Sequence, residues 1–161
     1  MARNRQNVLR RLEAHGYREL PESVMVQIQP WLRLAPSFCL VWAATGIFLR
    51  SPWILLALVP FPLWAAATRH HPFDVVYNRI FRKRLGTISL PPYPAPRRFM
   101  FLMSGIWLST VAIGYLAGLR WVPDILGALY LLAVLVHLLT GFCILIHIHS
   151  KIFGPCSPYR G

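Results

Sequence analysis

Four side chains with potential chemistry lie in one long apolar segment near the end of the chain. At about 100° per residue, a single helix would place His137, Thr140, Cys143 and His147 within an arc of about 80°. An imidazole and a thiolate one turn apart are plausible soft ligands for copper or zinc, and a buried imidazole alone can be the axial ligand of a haem or chlorophyll-type ring. The alternative is structural, because a histidine in a membrane helix is often only hydrogen-bonded across a helix interface.

Two thiols form a second candidate site. Cys39 and Cys143 each lie a few residues from the same predicted side of their apolar segments, so their depths in a membrane should match. If the two helices touch, the pair could exchange electrons with a quinone or with a soluble thiol protein. Burial among apolar groups would instead raise both thiol pKa values and leave two inert packing residues. With Cys156 in the tail, three scattered cysteines do not form a disulfide framework.

No further catalytic signature is present in the sequence. It contains no acid pair, no nucleophile triad, no glycine-rich phosphate loop and no HExxH motif. After Glu22 the only carboxylates are Asp74 and Asp124, and both fall outside the apolar segments. An ion-coupled transporter would therefore depend on the histidines. We expect a non-catalytic protein that requires no cofactor, with a porphyrin-type ring held by His137 or His147 as the open alternative.

The elements that must position these residues are membrane spans. The chain has 161 residues, of which 56% are hydrophobic and 14% charged, and its mean hydropathy is +0.49. A soluble chain averages about 25% charged residues, so a soluble enzyme domain is not expected. The apolar residues form four runs, at about 34–49, 53–67, 99–119 and 125–148. Tight turns at Arg50 and Arg120 join them in pairs, and two prolines, Pro60 and Pro62, should kink the second run.

The predicted fold is therefore all-α, an integral membrane four-helix bundle made of two transmembrane hairpins. Of the 17 Lys and Arg residues, fifteen lie in the N-terminal segment, the 68–98 loop and the tail, and only two lie in the hairpin turns. The positive-inside rule places both termini and the long loop in the cytoplasm, and we expect a bacterial inner membrane. No cleavable signal peptide is evident. The membrane also accounts for the net charge of +12, so no nucleic-acid partner is expected.

Two basic segments outside the spans have amphipathic patterns. Residues 1–30 form an N-terminal arm with helical spacing over 7–20, and the stretch Pro72–Gly86 repeats the pattern in the loop, with Asp74 able to cap its start. The proline-rich segment Leu90–Pro96 should be an extended strap into the third span, and 150–161 is a tail. Anchoring to anionic lipid is the preferred interpretation, and docking of a soluble partner the alternative. The expected lipid-surface residues are Arg10, Arg11, Arg82, Lys83 and Arg84.

The third span carries small residues at four-residue spacing, which is typical of close helix packing. One series contains Thr110, Gly114 and Gly118, and a second pair contains Gly105 and Ser109. The partner helix can belong to this chain or to another subunit, and within a four-span protein the internal partner is favoured.

The second half of the chain resembles a known family. The stretches HPFDVVYNRIFRKRLG (His71–Gly86), LPPYPAPRRF (Leu90–Phe99) and GFCILI (Gly141–Ile146) are similar to bacterial membrane proteins grouped as the domain of unknown function 4395, over about residues 30–155. The most specific element is the Pro-x-Pro-x-x-Phe entry to the third span. The family implies no settled activity, although a Cys-x-x-Cys pair in many members implies thiol chemistry for those members. Here Cys143 matches the first cysteine, whereas Ile146 occupies the second position.

These observations together predict a small accessory or interaction subunit of a larger membrane complex. Its expected partners are the lipids of the anionic cytoplasmic leaflet and other membrane subunits. Two alternatives remain open at this point: a thiol or quinone oxidoreductase that uses Cys143 with Cys39, and a holder of a porphyrin-type cofactor through His137 or His147.

Overall fold

The computed structural model describes residues 12–13, 17, 21–82, 89–141 and 143–153, and within this part of the chain it contains helices and no strand. The all-α prediction is confirmed. In chain order the helices are α1 (Glu22–Phe48), α2 (Pro52–Leu58), α3 (Pro60–Thr68), α4 (Pro72–Val76, continued by a π-helical turn over Tyr77–Phe81), α5 (Ala95–Leu116), α6 (Trp121–Thr140) and α7 (Ile144–Phe153).

Three helices, α1, α5 and α6, are long and apolar enough to cross a membrane. A fourth span is obtained when α2 and α3 are taken together with α4, although the chain bends by 70° between Thr68 and Pro72. The helix is also interrupted at Val59, as the two prolines predict, because Pro60 and Pro62 have no N–H for the carbonyls of Leu56 and Leu58. The described part of the chain therefore has three helices that are long and apolar enough to cross a membrane, or four if the bent pair is counted as one span.

The two hairpin turns lie at the same end of the bundle, which we call the turn end. Arg50, in the first turn, makes a bidentate ion pair with Asp124 at the start of α6, with N···O distances of 2.8 and 3.3 Å. Each hairpin is also tied internally by a tryptophan indole. Trp42 donates to the Ile54 carbonyl at 2.9 Å, and Trp107 donates to the Leu126 carbonyl at 3.0 Å.

The buried apolar residues form two clusters. One lies in the middle of the bundle, where α1, α2, α5 and α6 meet; it contains Cys39, Ala43, Leu55, Leu58, Leu108, Val111, Ala112 and Tyr130. The other lies at the opposite end, which we call the loop end because the segment between α3 and α5 is there. It combines the first half of α1 with Tyr77, Leu90, Tyr93, Met100, Phe101 and Ile146.

Several predicted boundaries change. Helix α1 begins at Glu22, twelve residues before the first apolar run. Helix α5, which corresponds to the third predicted span, begins at Ala95 rather than at Phe99. The largest change corrects the predicted span over 125–148: α6 ends at Thr140, and α7 is a separate helix. Gly141 adopts the left-handed conformation, with φ of 69°, and its N–H donates to the His137 carbonyl at 2.8 Å. A glycine in this conformation ends a helix because other residues adopt it only with strain.

Candidate functional site

The most unusual feature of the structure is a cluster of buried polar side chains at the loop end. His71, Asp74, Tyr93 and Arg97 are between 0% and 4% exposed. Ionisable groups are rarely buried so completely unless they have a structural or functional role. We call these four residues the polar cluster, and it is the candidate functional site.

His71 occupies the N-cap of α4. Its Nδ1 accepts the N–H of Phe73 at 3.4 Å, while the Asp74 carboxylate accepts the N–H of His71 at 3.3 Å, so the two side chains form a reciprocal capping box. The sequence pattern therefore located this helix start, although the N-cap is His71 rather than Asp74. Pro72 follows at the first helical position, where its fixed φ suits a helix start.

The His71 ring lies among aromatic side chains. It stacks on Phe73 with 5.2 Å between centroids and contacts Phe61 and Phe101 at 6.3 and 5.6 Å. Its Nε2 has no hydrogen-bond partner among the described residues. Burial, and then the nearby positive charge of Arg97, lower the pKa of His71 to about 4. The imidazole is therefore neutral at physiological pH.

Arg97 completes a hydrogen bond that a proline removes. Its Nη2 donates to the carbonyl of Leu32 at 2.7 Å. In an uninterrupted α-helix that carbonyl would accept the N–H four residues later, but residue 36 is a proline inside α1 and has no N–H. The Arg97 guanidinium also lies 4.5 Å from the ring centroid of Tyr93, which adds a cation–π contact.

The neighbouring arginine has a similar role. Arg98 donates from Nε to the carbonyl of Ala66 at 2.6 Å, in the last turn of α3, where carbonyls lack helical partners. The adjacent pair at the start of α5 therefore satisfies one free carbonyl in each of two other helices. These two hydrogen bonds explain why α5 begins with two arginines close to the predicted membrane boundary.

The proline-rich strap is held by backbone hydrogen bonds. Asn78 both donates to the Leu90 carbonyl at 3.2 Å and accepts the Leu90 N–H at 2.9 Å. The Tyr93 N–H donates to the Arg69 carbonyl at 2.7 Å. Residues 90–94 have no regular secondary structure, and Pro94 is the N-cap of α5 with an extended backbone. The predicted strap therefore ends two residues before Pro96, because Ala95 and Pro96 already belong to α5. The strap thus fixes Tyr93, whose hydroxyl lies beside the Asp74 carboxylate and whose pKa burial raises well above its usual value.

The polar cluster is best described as an internal clamp. It satisfies one free backbone carbonyl, caps one helix and holds the strap against the bundle. In the described part of the chain no group of three or more His, Cys, Asp or Glu side chains could hold a metal ion. Its chemical capacity is a neutral imidazole with an unused Nε2 beside a fixed positive charge.

The structure separates the residues of the predicted histidine face. His137 and Thr140 lie in the last turn of α6, Cys143 precedes α7, and His147 lies within α7. The shared face required one continuous helix, so it does not form. His149 belongs to the same short helix and its ring contacts Phe99, with 5.4 Å between centroids.

The two cysteines lie in different apolar clusters. Cys39 is buried in the middle of the bundle, whereas Cys143 is half-buried and packs at the loop end. Cys143 is directly before α7, where the N–H groups of Leu145 and Ile146 point to its sulfur. Burial nevertheless raises the pKa of the Cys143 thiol, with those N–H groups and Arg97 acting in the opposite direction.

The small residues of α5 have different surroundings. A Cβ on Gly105 would be 2.6 Å from a Leu63 methyl carbon, and one on Gly114 would be 3.2 Å from Pro123. Both glycines therefore face helices of this chain. Ser109 donates to the Gly105 carbonyl, whereas Thr110 is exposed and Gly118, with φ of 74°, lies in the turn after the helix.

The predicted lipid-surface residues are only partly described. Arg82 is exposed at the end of the π-helical turn, together with Arg79, while Arg10, Arg11, Lys83 and Arg84 lie outside the described residues. In the N-terminal arm, Leu12 and Tyr17 are 6% and 4% exposed and belong to the loop-end cluster. Leu12 therefore packs on the protein rather than on lipid.

Sequence reasoning did not identify the polar cluster. Its four residues lie in the two longest stretches that carry the family resemblance, His71–Gly86 and Leu90–Phe99, which was the available signal. No local pattern indicated that Arg97 donates to the Leu32 carbonyl, which lacks its helical partner at Pro36, because Arg97 and Pro36 are 61 positions apart in the sequence.

Comparison with known proteins gives one result. The family model described as Domain of unknown function (DUF4395) matches residues 29–148, which include most of α1, all of α2 to α6 and the polar cluster. No curated protein matches the chain, and no solved structure does.

Proposed function

The chain belongs to the DUF4395 family, and from this premise we propose that it is a non-catalytic accessory subunit of a membrane complex. In this proposal it crosses a bacterial inner membrane four times, with the loop end in the cytoplasm and the turn end outside. The cation count supports this orientation, since both hairpin turns, with Arg50 and Arg120, lie at one end of the bundle.

The main support for this proposal is the second half of α6, which this chain leaves largely uncovered. In its first half this helix buries Pro123, Gly127 and Tyr130, but none of the residues 131–140 is buried. By contrast, α1 and α5 bury side chains along most of their length. Leu132 and Leu139 are 57% and 70% exposed. Over these last turns Leu131 and Val134 still pack on the cluster in the middle of the bundle, while the exposed side of the helix has room for a partner helix.

An open groove adjoins this face at Leu131, on the side of the turn end. It has a volume of about 470 Å³ and lies between α1 and α6, lined by apolar and small side chains: Ala44, Thr45, Ile47, Phe48, Leu49 and Leu131. Transmembrane helices associate through packing of such small and apolar groups. We therefore assign the face of α6 to a transmembrane helix of another subunit.

Photo-crosslinking in native membranes tests this assignment. A benzophenone amino acid at Leu135 or Leu139 should give one protein adduct of defined mass. The matched control is Trp64 on α3, which is 55% exposed on a different helix and should give lipid adducts. Lipid adducts alone at all three positions, together with an isolated monomer in mild detergent, would contradict the proposal.

The position of Cys143 favours a second candidate, a thiol-exchange protein. A cysteine at a helix N-terminus near a cation is a usual environment of a reactive thiol, but at Cys143 burial outweighs both effects and raises the thiol pKa, so this candidate ranks second. A thiolate at Cys143 would attack the disulfide of a soluble thiol protein, forming a mixed disulfide and releasing the partner's other sulfur as a thiolate. Cys39 is not placed to form a disulfide with Cys143. It lies about two turns beyond Leu32 along α1, in the cluster in the middle of the bundle, whereas Cys143 packs at the loop end.

Alkylation followed by mass spectrometry separates the two candidates. The thiol candidate predicts rapid labelling of Cys143 and trapping of a mixed disulfide, with Cys39 unlabelled in the same membranes. Equally slow labelling of both residues would exclude it.

A further inference from the structure

The last helix has a surface that the proposed subunit interface does not use. In α7, Ile144, Ile148 and Ile152 are 58%, 40% and 65% exposed, and they recur every four residues. At 100° per residue they fill a sector of about 80°. An apolar stripe of this kind is outside the bundle's own packing.

The other sectors of α7 have different characters. On the side that faces the protein, Ile146 is buried in the loop-end cluster and His149 contacts Phe99. On the remaining side, His147 and Lys151 are exposed one turn apart. The sectors around α7 are therefore polar, isoleucine-lined and protein-facing, in that order. This is the pattern of a helix in the boundary between lipid headgroups and acyl chains.

The length of α6 places α7 at such a boundary. Its 20 residues extend about 30 Å, which is the thickness of the hydrocarbon layer, and the chain then stops at Gly141 in the left-handed conformation. The start of α7 consequently lies where α6 leaves the hydrocarbon. Its residue Ile146 shares a cluster with the strap residues Leu90 and Tyr93.

A second helix at the loop end, α4, also combines exposed apolar and basic side chains; in the proposed topology the 70° bend before Pro72 places it outside the fourth span. Val76 and Ile80 are 44% and 53% exposed on the segment Pro72–Phe81, next to the exposed Arg79 and Arg82. The exposed cations of both helices would meet the phosphates of an anionic leaflet. Charge and exposed apolar side chains thus occur together twice at the same end of the bundle.

We propose that α7 is an interfacial helix that lies in the plane of the membrane, with its three isoleucines among the upper acyl chains and Lys151 on acidic headgroups. The inference rests on the proposed membrane topology. It replaces a fourth span that continues to residue 148 with a span that ends at Thr140 and a helix that turns along the surface.

Depth measurements on spin-labelled protein test this arrangement. Single cysteines at Ile144, Ile148 and Ile152, in a background with the native cysteines replaced by serine, are labelled in vesicles that contain phosphatidylglycerol. Collision with oxygen and with a water-soluble nickel chelate should give the same depth at all three positions. A transmembrane continuation would instead give a steady change of about 12 Å over the eight residues.

Labels at Ile106 and Ile113, both exposed on α5, serve as internal controls. Deep labels there together with a steady gradient along α7 would overturn this inference and leave the membrane topology standing. Water-exposed labels on α5 would instead refute the topology itself. Lys151→Glu should move the label at position 152 toward water in phosphatidylglycerol vesicles and leave it in place in phosphatidylcholine vesicles; no difference between the lipids would refute the headgroup contact.

A measurement on the wild-type chain covers the case in which the cysteine-free variant does not fold. Phospholipids with a photoreactive group near the headgroup should label the peptide that contains Ile144–Phe153. Phospholipids with the group at the end of the acyl chain should label α5 and α6 but not that peptide. Labelling of α7 by the chain-end reagent would contradict the proposal.

Discussion

At the scale of single residues, Arg97 and Pro36 are linked through one carbonyl oxygen. The proline removes the helical donor for Leu32, and the arginine supplies another at 2.7 Å. A buried carbonyl without a partner costs about 1–3 kcal/mol. The burial of Arg97 is thus explained by backbone chemistry as well as by its contact with Tyr93.

A double-mutant cycle tests this link. Arg97→Met should lower the free energy of unfolding by about 2 kcal/mol or more in detergent, because the carbonyl of Leu32 is left unsatisfied. In a Pro36→Ala background, residue 36 regains its N–H, so the same substitution should cost about 1 kcal/mol less. Pro30→Ala is the matched control, since Pro30 also lies inside α1 but opposes the carbonyl of Val26. Equal effects in all backgrounds would refute the link.

His71 should make stability depend on pH. Its pKa falls from 6.5 in the unfolded chain to about 4 in the folded protein, so the folded state binds fewer protons. The free energy of unfolding is therefore highest above pH 6.5. It decreases as the pH falls from 6.5 toward 4, by roughly 3 kcal/mol in total, because protons bind His71 more tightly in the unfolded chain. Arg97 faces the ring and opposes its protonation, with Asp74 and Tyr93 as the other ionisable members of the cluster.

The measurement is the midpoint of thermal unfolding in detergent at pH 7 and pH 5. The wild type should lose stability at pH 5 relative to His71→Phe, which keeps an aromatic ring against Phe73 but cannot titrate. His147→Phe, at an exposed position, should keep the wild-type dependence. An identical pH dependence in the wild type and His71→Phe would show that the imidazole is not held neutral.

At the scale of helices, packing of α5 on α3 depends on the absence of a side chain at Gly105. Gly105→Val should destabilise the protein by about 1–3 kcal/mol, because its Cβ alone would come within 2.6 Å of Leu63. Leu63→Ala should recover part of this loss in the double variant. Thr110→Val, at an exposed position of the same helix, should change stability little. A similar loss there would show that the effect of Gly105→Val is not specific to the contact with Leu63.

The helices also show where sequence patterns suffice. Apolar runs identified the regions of α1, α5 and α6, and the prolines identified the break at Val59 and the strap. The end of α6 was missed because hydropathy continues without interruption through Gly141, and only the left-handed backbone there separates span from surface helix. His137 and His147 were predicted to share one face for the same reason, since the apolar sequence gives no sign that two separate helices carry them.

The candidate site was less predictable than the helices. The capping role of Asp74 is local in sequence and could be anticipated. The meeting of Arg97 with Leu32, and of Asn78 with Leu90, depends on how distant segments pack at the loop end. Spacing rules describe one helix or one turn at a time, so they do not contain this information.

At the scale of the whole molecule, the proposed topology is a membrane bundle whose two hairpin turns share one side and whose basic loop lies on the other. The ion pair between Arg50 and Asp124 places the turns together, while Arg97 and Arg98 tie the opposite end. In the proposed topology, the segregation of Lys and Arg along the bundle sets its direction in the membrane.

The most direct test is labelling of single cysteines with a membrane-impermeant maleimide, in intact cells and in inverted membrane vesicles. Cysteines replace Ser51 and Leu119 in the two turns and Ser89 in the loop, within a background that lacks the native cysteines. Positions 51 and 119 should be labelled in intact cells, and position 89 only in inverted vesicles. Labelling of position 89 in intact cells, or of the two turns from opposite sides, would contradict the account.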